Sequence, residues 1–156
     1  MRTDTPTPAS FGNFTISRLL QASPARVFAA WATQEGKQRW FKALSGEWEQ
    51  IERRVDFRIG GQERLAGKWK NGMVTDFTAT YHDIVPNERV IYAYDLLVDG
   101  KKISVSLATV EIRAEGNATR MTVTEQGAFL DGYEDKGSRE RGTTAQMDAL
   151  AASLED

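Results

Sequence analysis

SRERGTTAQMDALAASL, residues Ser138 to Leu154, is the one long run with a helical period in a chain that otherwise reads as strands. Thr143, Met147, Leu150 and Leu154 recur at steps of four, three and four residues, which puts them on one helix face. Gly137 and Ser138 suit its start as caps, and the alanines and leucines from Ala145 onward favour helix. The apolar stripe is too narrow to hold a helix in water alone. It must lie against something, and the strands in the middle of the chain are the only candidate. The first half of that face, Gly142 to Gln146, is small and polar and fills space poorly. A helix that grips a sheet tightly at one end and loosely at the other leaves a cavity. The functional reading starts from that cavity.

Working outward, residues 1–12 read as a loose tail rich in proline and threonine. Phe14 to Leu20 is a first strand. Ser23-Pro24 then starts a helix to Ala32 that buries Val27, Phe28 and Trp31. Thr33 caps a second short helix ending at Trp40-Phe41, and the chain turns at Ser45-Gly46. Strands follow. Val55 to Ile59 and Gln62 to Trp69 form a hairpin at Gly60-Gly61, and Asn71-Gly72 leads into Val74 to Val85. Pro86-Asn87 turns into Arg89 to Val98, and Asp99-Gly100 into Ile103 to Arg113. Gly116-Asn117 leads to Thr119 to Gln126, and a loop with Gly127, Gly132 and Gly137 delivers the last helix. The order is strand, two helices, about six antiparallel strands and a long helix, in one domain over residues 13–156.

Composition narrows the function classes. At 156 residues, with 40% hydrophobic and 27% charged, the chain is an ordinary globule able to bury roughly 70% of its unfolded surface. A net charge of −2 gives no pull toward nucleic acid or anionic membrane. The first half is net basic and the second net acidic, and in one sheet the two interleave. Without cysteine there are no disulfides, thiol nucleophiles or thiolate metal sites, and one histidine argues against a zinc centre. No apolar run approaches a membrane span, and MRTDTPTPAS lacks a signal-peptide core, so a cytoplasmic location is expected.

The element order and the words ASPARVFAAWATQEGKQRWF, VDFRIGGQERL, DIVPNERVIYAYD and SLATVEIRAEGNATRMTVTEQG resemble a known family. They are similar to bacterial homologues of the C-terminal domain of the activator of heat-shock protein 90 ATPase, within the START-like (SRPBCC) superfamily. The resemblance covers Phe14 to Leu154. It implies an α+β helix-grip fold: a curved antiparallel sheet of six to seven strands wrapped round the C-terminal helix, with a cavity between. It also implies that the elements carrying Trp40, Phe41, Phe57, Trp69, Phe77 and Tyr81 line the cavity mouth. One departure stands out. Many relatives carry Trp after the glycine that opens the last helix, and here Gly142 is followed by Thr143, which enlarges or rehydrates the cavity.

Little in the chain carries chemistry. Gly60-Gly61 lacks the helix and lysine of a phosphate loop. His82 lies with Thr78 and Thr80 on the parity opposite Phe77, Ala79 and Tyr81, as a surface strand histidine would. No serine sits in a nucleophile context and no carboxylates show metal spacing. Tyr92 and Tyr94 share a face with Val90, and inward phenols need polar partners. Glu125 continues the parity of Met121 and Val123, so alternation aims a carboxylate at the apolar face, with Arg58, Arg64, Tyr92 or Tyr94 as candidate partners. The alternative is a strand-end glutamate bent out to solvent.

These readings favour a binding protein for a small hydrophobic or amphipathic molecule. The ligand would touch the aromatic residues named above together with Glu125, Thr143 and Met147. No cofactor, metal, nucleic acid or membrane is expected, and a homodimer stays open. A cyclase or aromatase using Glu125, Tyr92 or His82 is the second reading. A co-chaperone module is the third, weakened because the eukaryotic activator relies on an additional N-terminal domain.

Overall fold

The computed structural model describes residues 7–44 and 47–155. Strand β1 (Ala9–Leu20) is followed by helices α1 (Pro24–Ala32) and α2 (Gln34–Gln38). Six strands come next: β2 (Trp48–Val55), β3 (Gln62–Trp69), β4 (Val74–Val85), β5 (Arg89–Val98), β6 (Lys101–Glu115) and β7 (Ala118–Leu130). Helix α3 (Ser138–Ser153) ends the series. The strands form one antiparallel sheet in the order β1-β7-β6-β5-β4-β3-β2. From β2 to β7 each strand pairs with the next in sequence. β1 closes the far edge against β7, with Ile16 opposite Val123 and Phe14 opposite Glu125. This is the helix-grip architecture expected.

Local chemistry explains the corner after β1. The Ser23 hydroxyl accepts from Arg26 N at 3.2 Å and Pro24 occupies the first turn of α1. Thr33 ends α1 and starts α2, accepting from Gly36 N at 3.0 Å and donating to Ala29 O at 3.0 Å. Gly36 makes the corner tight, since a Cβ there would lie 2.6 Å from Ala29 O. One sheet face is buried throughout: Leu65 on β3, Phe77 and Tyr81 on β4, Val90, Tyr92 and Tyr94 on β5, Val110 on β6, and Met121 and Val123 on β7. α1 covers one half of this face with Val27 and Trp31, and α3 covers the other with Met147 and Leu150. Leu154, expected buried, is half-buried at the helix end.

Several expectations are corrected. Val55 to Ile59 is not a strand. The partner of β3 is Trp48–Val55, and 56–61 is a loop closed by Asp56 N to Gln62 O and Gly61 N to Arg58 O. The edge strand β2 is heavily charged, and its register shifts between Gln50 and Glu52, which breaks the period-two pattern. Ala9 to Gly12, expected within the tail, belong to β1 and pair with Leu130 to Gly127. That pairing also carries β7 past Gly127, so the loop before α3 starts at Asp131. The turn expected at Ser45-Gly46 lies outside the described residues. The start of α3 is capped less by Gly137 or Ser138 than by Asp135, whose Oδ1 accepts from Arg139 N at 2.9 Å and from Ser138 Oγ at 3.0 Å.

Candidate functional site

Between α3 and the buried sheet face lies a cavity of about 550 Å³. Its walls follow from alternation: Leu65 and Trp69 from β3, Phe77 from β4, Tyr92, Tyr94 and Leu96 from β5, and Val123 and Glu125 from β7. Trp31, Lys37, Trp40 and Phe41 enter from α1, α2 and the segment after α2, and Arg139, Thr143, Gln146 and Met147 from α3. All four tryptophans of the chain, Trp31, Trp40, Trp48 and Trp69, line it. Trp48 reaches the wall because it lies flat over Gly67, where an added Cβ would fall 1.9 Å from the indole.

Nine of the eleven residues expected from the sequence line this space: Trp40, Phe41, Trp69, Phe77, Tyr92, Tyr94, Glu125, Thr143 and Met147. Phe57 and Tyr81 do not. They pack edge-to-face on each other at 4.8 Å, beyond the cavity end, and Phe57 also meets Phe28. His82 is exposed at a register shift in β4, away from the cavity. It is therefore no candidate for acid–base work there.

Glu125 is buried, 5% exposed, and does not bend out to solvent. Its partners are hydroxyls. Tyr94 donates to Oε1 at 2.5 Å, and Thr143 lies 3.5 Å from Oε2, at the limit of a hydrogen bond. Neither arginine expected beside it is there: Arg58 pairs with Asp56, and Arg64 pairs with Asp76 and Glu52. The cation of this end is Arg139, from the first turn of α3. It donates to the Tyr94 hydroxyl at 3.1 Å, Ser106 Oγ at 3.2 Å and Ser104 Oγ at 2.8 Å. Because Arg139 donates to the Tyr94 oxygen, the phenol proton is directed to Glu125. Burial pushes the Glu125 carboxyl above the usual glutamate range, opposed by the Tyr94 hydrogen bond, the Arg139 charge and Thr143.

This shift has a sign. The folded chain holds the Glu125 proton more tightly than the unfolded chain. The group's contribution to stability is therefore greatest below the ordinary value near 4.5 and is lost as pH rises through the raised folded value. Glu125→Gln removes that loss. Urea midpoints from pH 4 to pH 7 should move in favour of the variant as pH rises; a constant difference between the two proteins would mean that the carboxyl is solvated.

The other end of the cavity holds a pair that the sequence reading missed. Lys37 and Glu63 are each 2% exposed, with Nζ 3.1 Å from Oε2. The ammonium sits among the rings of Phe41, Trp40, Trp31 and Tyr92, at 4.4, 4.9, 5.3 and 5.9 Å from their centroids. The Tyr81 hydroxyl donates to the other oxygen of Glu63. Burial lowers the Lys37 pKa, and Glu63 opposes this. The signals were present. Lys37 lies three and four residues before Trp40 and Phe41, on their face, and Glu63 shares the parity of Leu65 and Trp69. Arg139 likewise precedes Thr143 and Met147 at helical spacing.

A curved antiparallel sheet closed over a C-terminal helix, with an aromatic cavity between, defines a START-like helix-grip protein, a fold that in general holds ligands. The chain belongs to the family of Activator of Hsp90 ATPase homolog 1-like proteins, whose family model matches residues 21–155. A protein of Rhizobium leguminosarum is 44% identical over 97% of this chain and 99% of its own, with a TM-score of 0.91. The protein Mll3558 of Rhizobium loti is 38% identical over 94% and 99%, with a TM-score of 0.87. CV1439 of Chromobacterium violaceum, at 20% identity and a TM-score of 0.76, shares the fold. No curated protein matches the chain. Among the described residues no helix is long and apolar enough to cross a membrane.

Proposed function

We propose that the protein binds a small, mostly apolar molecule in the cavity between its sheet and α3. The carrying observation is the cavity itself: about 550 Å³, walled by aromatic side chains, with the buried carboxylate of Glu125 at one end. Its size and its few convergent polar groups are those of small-molecule sites. Core packing alone does not account for it, because a core closes such a volume. A small amphipathic molecule in the cytoplasm, rather than nucleic acid or a lipid surface, is the partner that suits a net charge of −2 and an interior site.

Because every tryptophan lines the cavity, its occupancy can be read from the protein's own emission. Titration with uncharged aromatic compounds should shift or quench tryptophan fluorescence saturably and raise the unfolding temperature. Compounds that change neither would remove this reading. Thr143→Trp supplies a second check at the cavity wall. The larger ring should fill space at the loose end of α3, leaving the urea midpoint nearly unchanged and weakening an apolar probe on the order of tenfold. Unaltered probe affinity would place the binding site elsewhere.

A further inference from the structure

Tyr92 lines the cavity, and its hydroxyl, reachable from that space, makes no hydrogen bond to another described residue. A phenol hydroxyl that faces a cavity is a ready donor to a ligand oxygen. The neighbouring Tyr94 is engaged at both of its functions, donating to Glu125 and accepting from Arg139. Glu125 Oε2, by contrast, has only the 3.5 Å contact with Thr143. The sheet brings the unused donor and the underused acceptor together. Tyr92 pairs with Ala108, and Ala108 with Glu125, so the two stand in one row across β5, β6 and β7 with only an alanine methyl between them. Adjacent strands lie roughly 4.8 Å apart. An oxygen held above that row can therefore be reached from both sides.

We propose that this row is a hydroxyl-recognition site and that the ligand class is a small uncharged aromatic alcohol. Its oxygen accepts from Tyr92, its O–H donates to Glu125 Oε2, and its ring lies among Phe77, Tyr92 and Trp40. The proposal rests on the cavity-binding reading above and sharpens it. A carboxylate ligand on this row would face the Glu125 carboxyl, while Lys37 is paired with Glu63 and Arg139 is held toward the hydroxyls of Tyr94, Ser104 and Ser106.

Three probes of one shape separate the possibilities: naphthalene, 2-naphthol and 2-naphthoate, measured by equilibrium dialysis against the wild-type protein. One hydrogen bond corresponds to roughly threefold to tenfold in affinity, and two together to about tenfold or more. 2-Naphthol should bind about tenfold or more tighter than naphthalene, and 2-naphthoate weaker than either. Tyr92→Phe and Glu125→Gln should each reduce the naphthol preference while leaving naphthalene affinity in place. Equal binding of naphthol and naphthalene overturns the hydroxyl site but leaves the cavity reading intact. A naphthol preference that survives both substitutions, or naphthoate binding tightest, also overturns it. If no probe binds, the cavity reading fails and this proposal with it. The wild-type comparison stands even if a variant folds poorly.

Discussion

Glu63→Gln is expected to destabilise the protein by about 3–5 kcal/mol at neutral pH, although it is nearly isosteric and far from the surface. Among the described residues the carboxylate is the only acidic partner of the Lys37 ammonium, which is itself surrounded by four aromatic rings. Removing one charge of a fully buried pair leaves the other without compensation. The rings offset part of the loss, on the order of 2 kcal/mol for a desolvated cation. The cost has a ceiling, because Lys37 can shed its proton instead of remaining as a buried cation. Deprotonation from the ordinary lysine value of 10.5 costs roughly 5 kcal/mol at pH 7, at 1.36 kcal/mol per pH unit.

That ceiling gives a second, sharper expectation. In the variant the folded lysine is neutral while the unfolded one is charged, so the unfolded state binds more protons. Stability then rises with pH up to the unfolded value, and the destabilisation should shrink steadily between pH 7 and pH 10. Lys37→Met combined with Glu63→Leu should recover most of the loss, because a well-packed apolar pair of similar size avoids desolvating two charges. Chemical denaturation of the single and double variants across pH measures all of this. A loss under 1 kcal/mol for Glu63→Gln would mean that water reaches the pair.

Why this pair escaped a reading of the sequence is a matter of which signals were weighed. The alternation of β4, β5 and β7 is a strong, local pattern, and with the thin apolar stripe of α3, of which only Met147 and Leu150 are buried, it gave the sheet, the helix and the cavity between them. Turn chemistry placed Asn71-Gly72, Pro86-Asn87 and Asp99-Gly100 correctly, and Asn87, Asp99, Gly72 and Gly100 all take positive φ there. The alternation that flagged Glu125 applies equally to Glu63 beside Leu65, but the charged run from Glu47 to Arg54 and the misplaced hairpin blurred the strand start. Lys37 was hidden more deeply. A five-residue helix of polar residues, QEGKQ, reads as solvated, and only the Gly36 corner turns its one lysine inward. Of the candidate partners of Glu125, Tyr94 is the one the structure brings to it, while Arg58 and Arg64 are not there, for a related reason. Parity says which face a residue takes, but not that an arginine from the first turn of α3 reaches that end.

Leu150 and Met147 sit one turn apart on α3 and should respond differently to truncation, which tests the tight and loose ends of the helix directly. Both are buried, Leu150 at 0% and Met147 at 2% exposure. Leu150 packs wholly within the core, whereas Met147 forms part of the cavity wall. The cost of removing a buried side chain combines lost transfer energy with the new void it leaves. At Leu150 every removed atom had neighbours, so Leu150→Ala should cost about 3–5 kcal/mol. Met147 is almost as fully packed but borders the cavity, so the surroundings can relax into the space it leaves and Met147→Ala should fall near ~2 kcal/mol. The functional readout runs the other way. Met147→Ala enlarges the cavity and should admit bulkier probes than the wild type accepts, while Leu150→Ala should leave probe size selection as it was. Equilibrium unfolding together with tryptophan-detected probe binding would report both quantities on each variant. Equal stability losses with unchanged probe selection would show that α3 is gripped uniformly along its length, and the cavity would then have to be sought away from its first two turns.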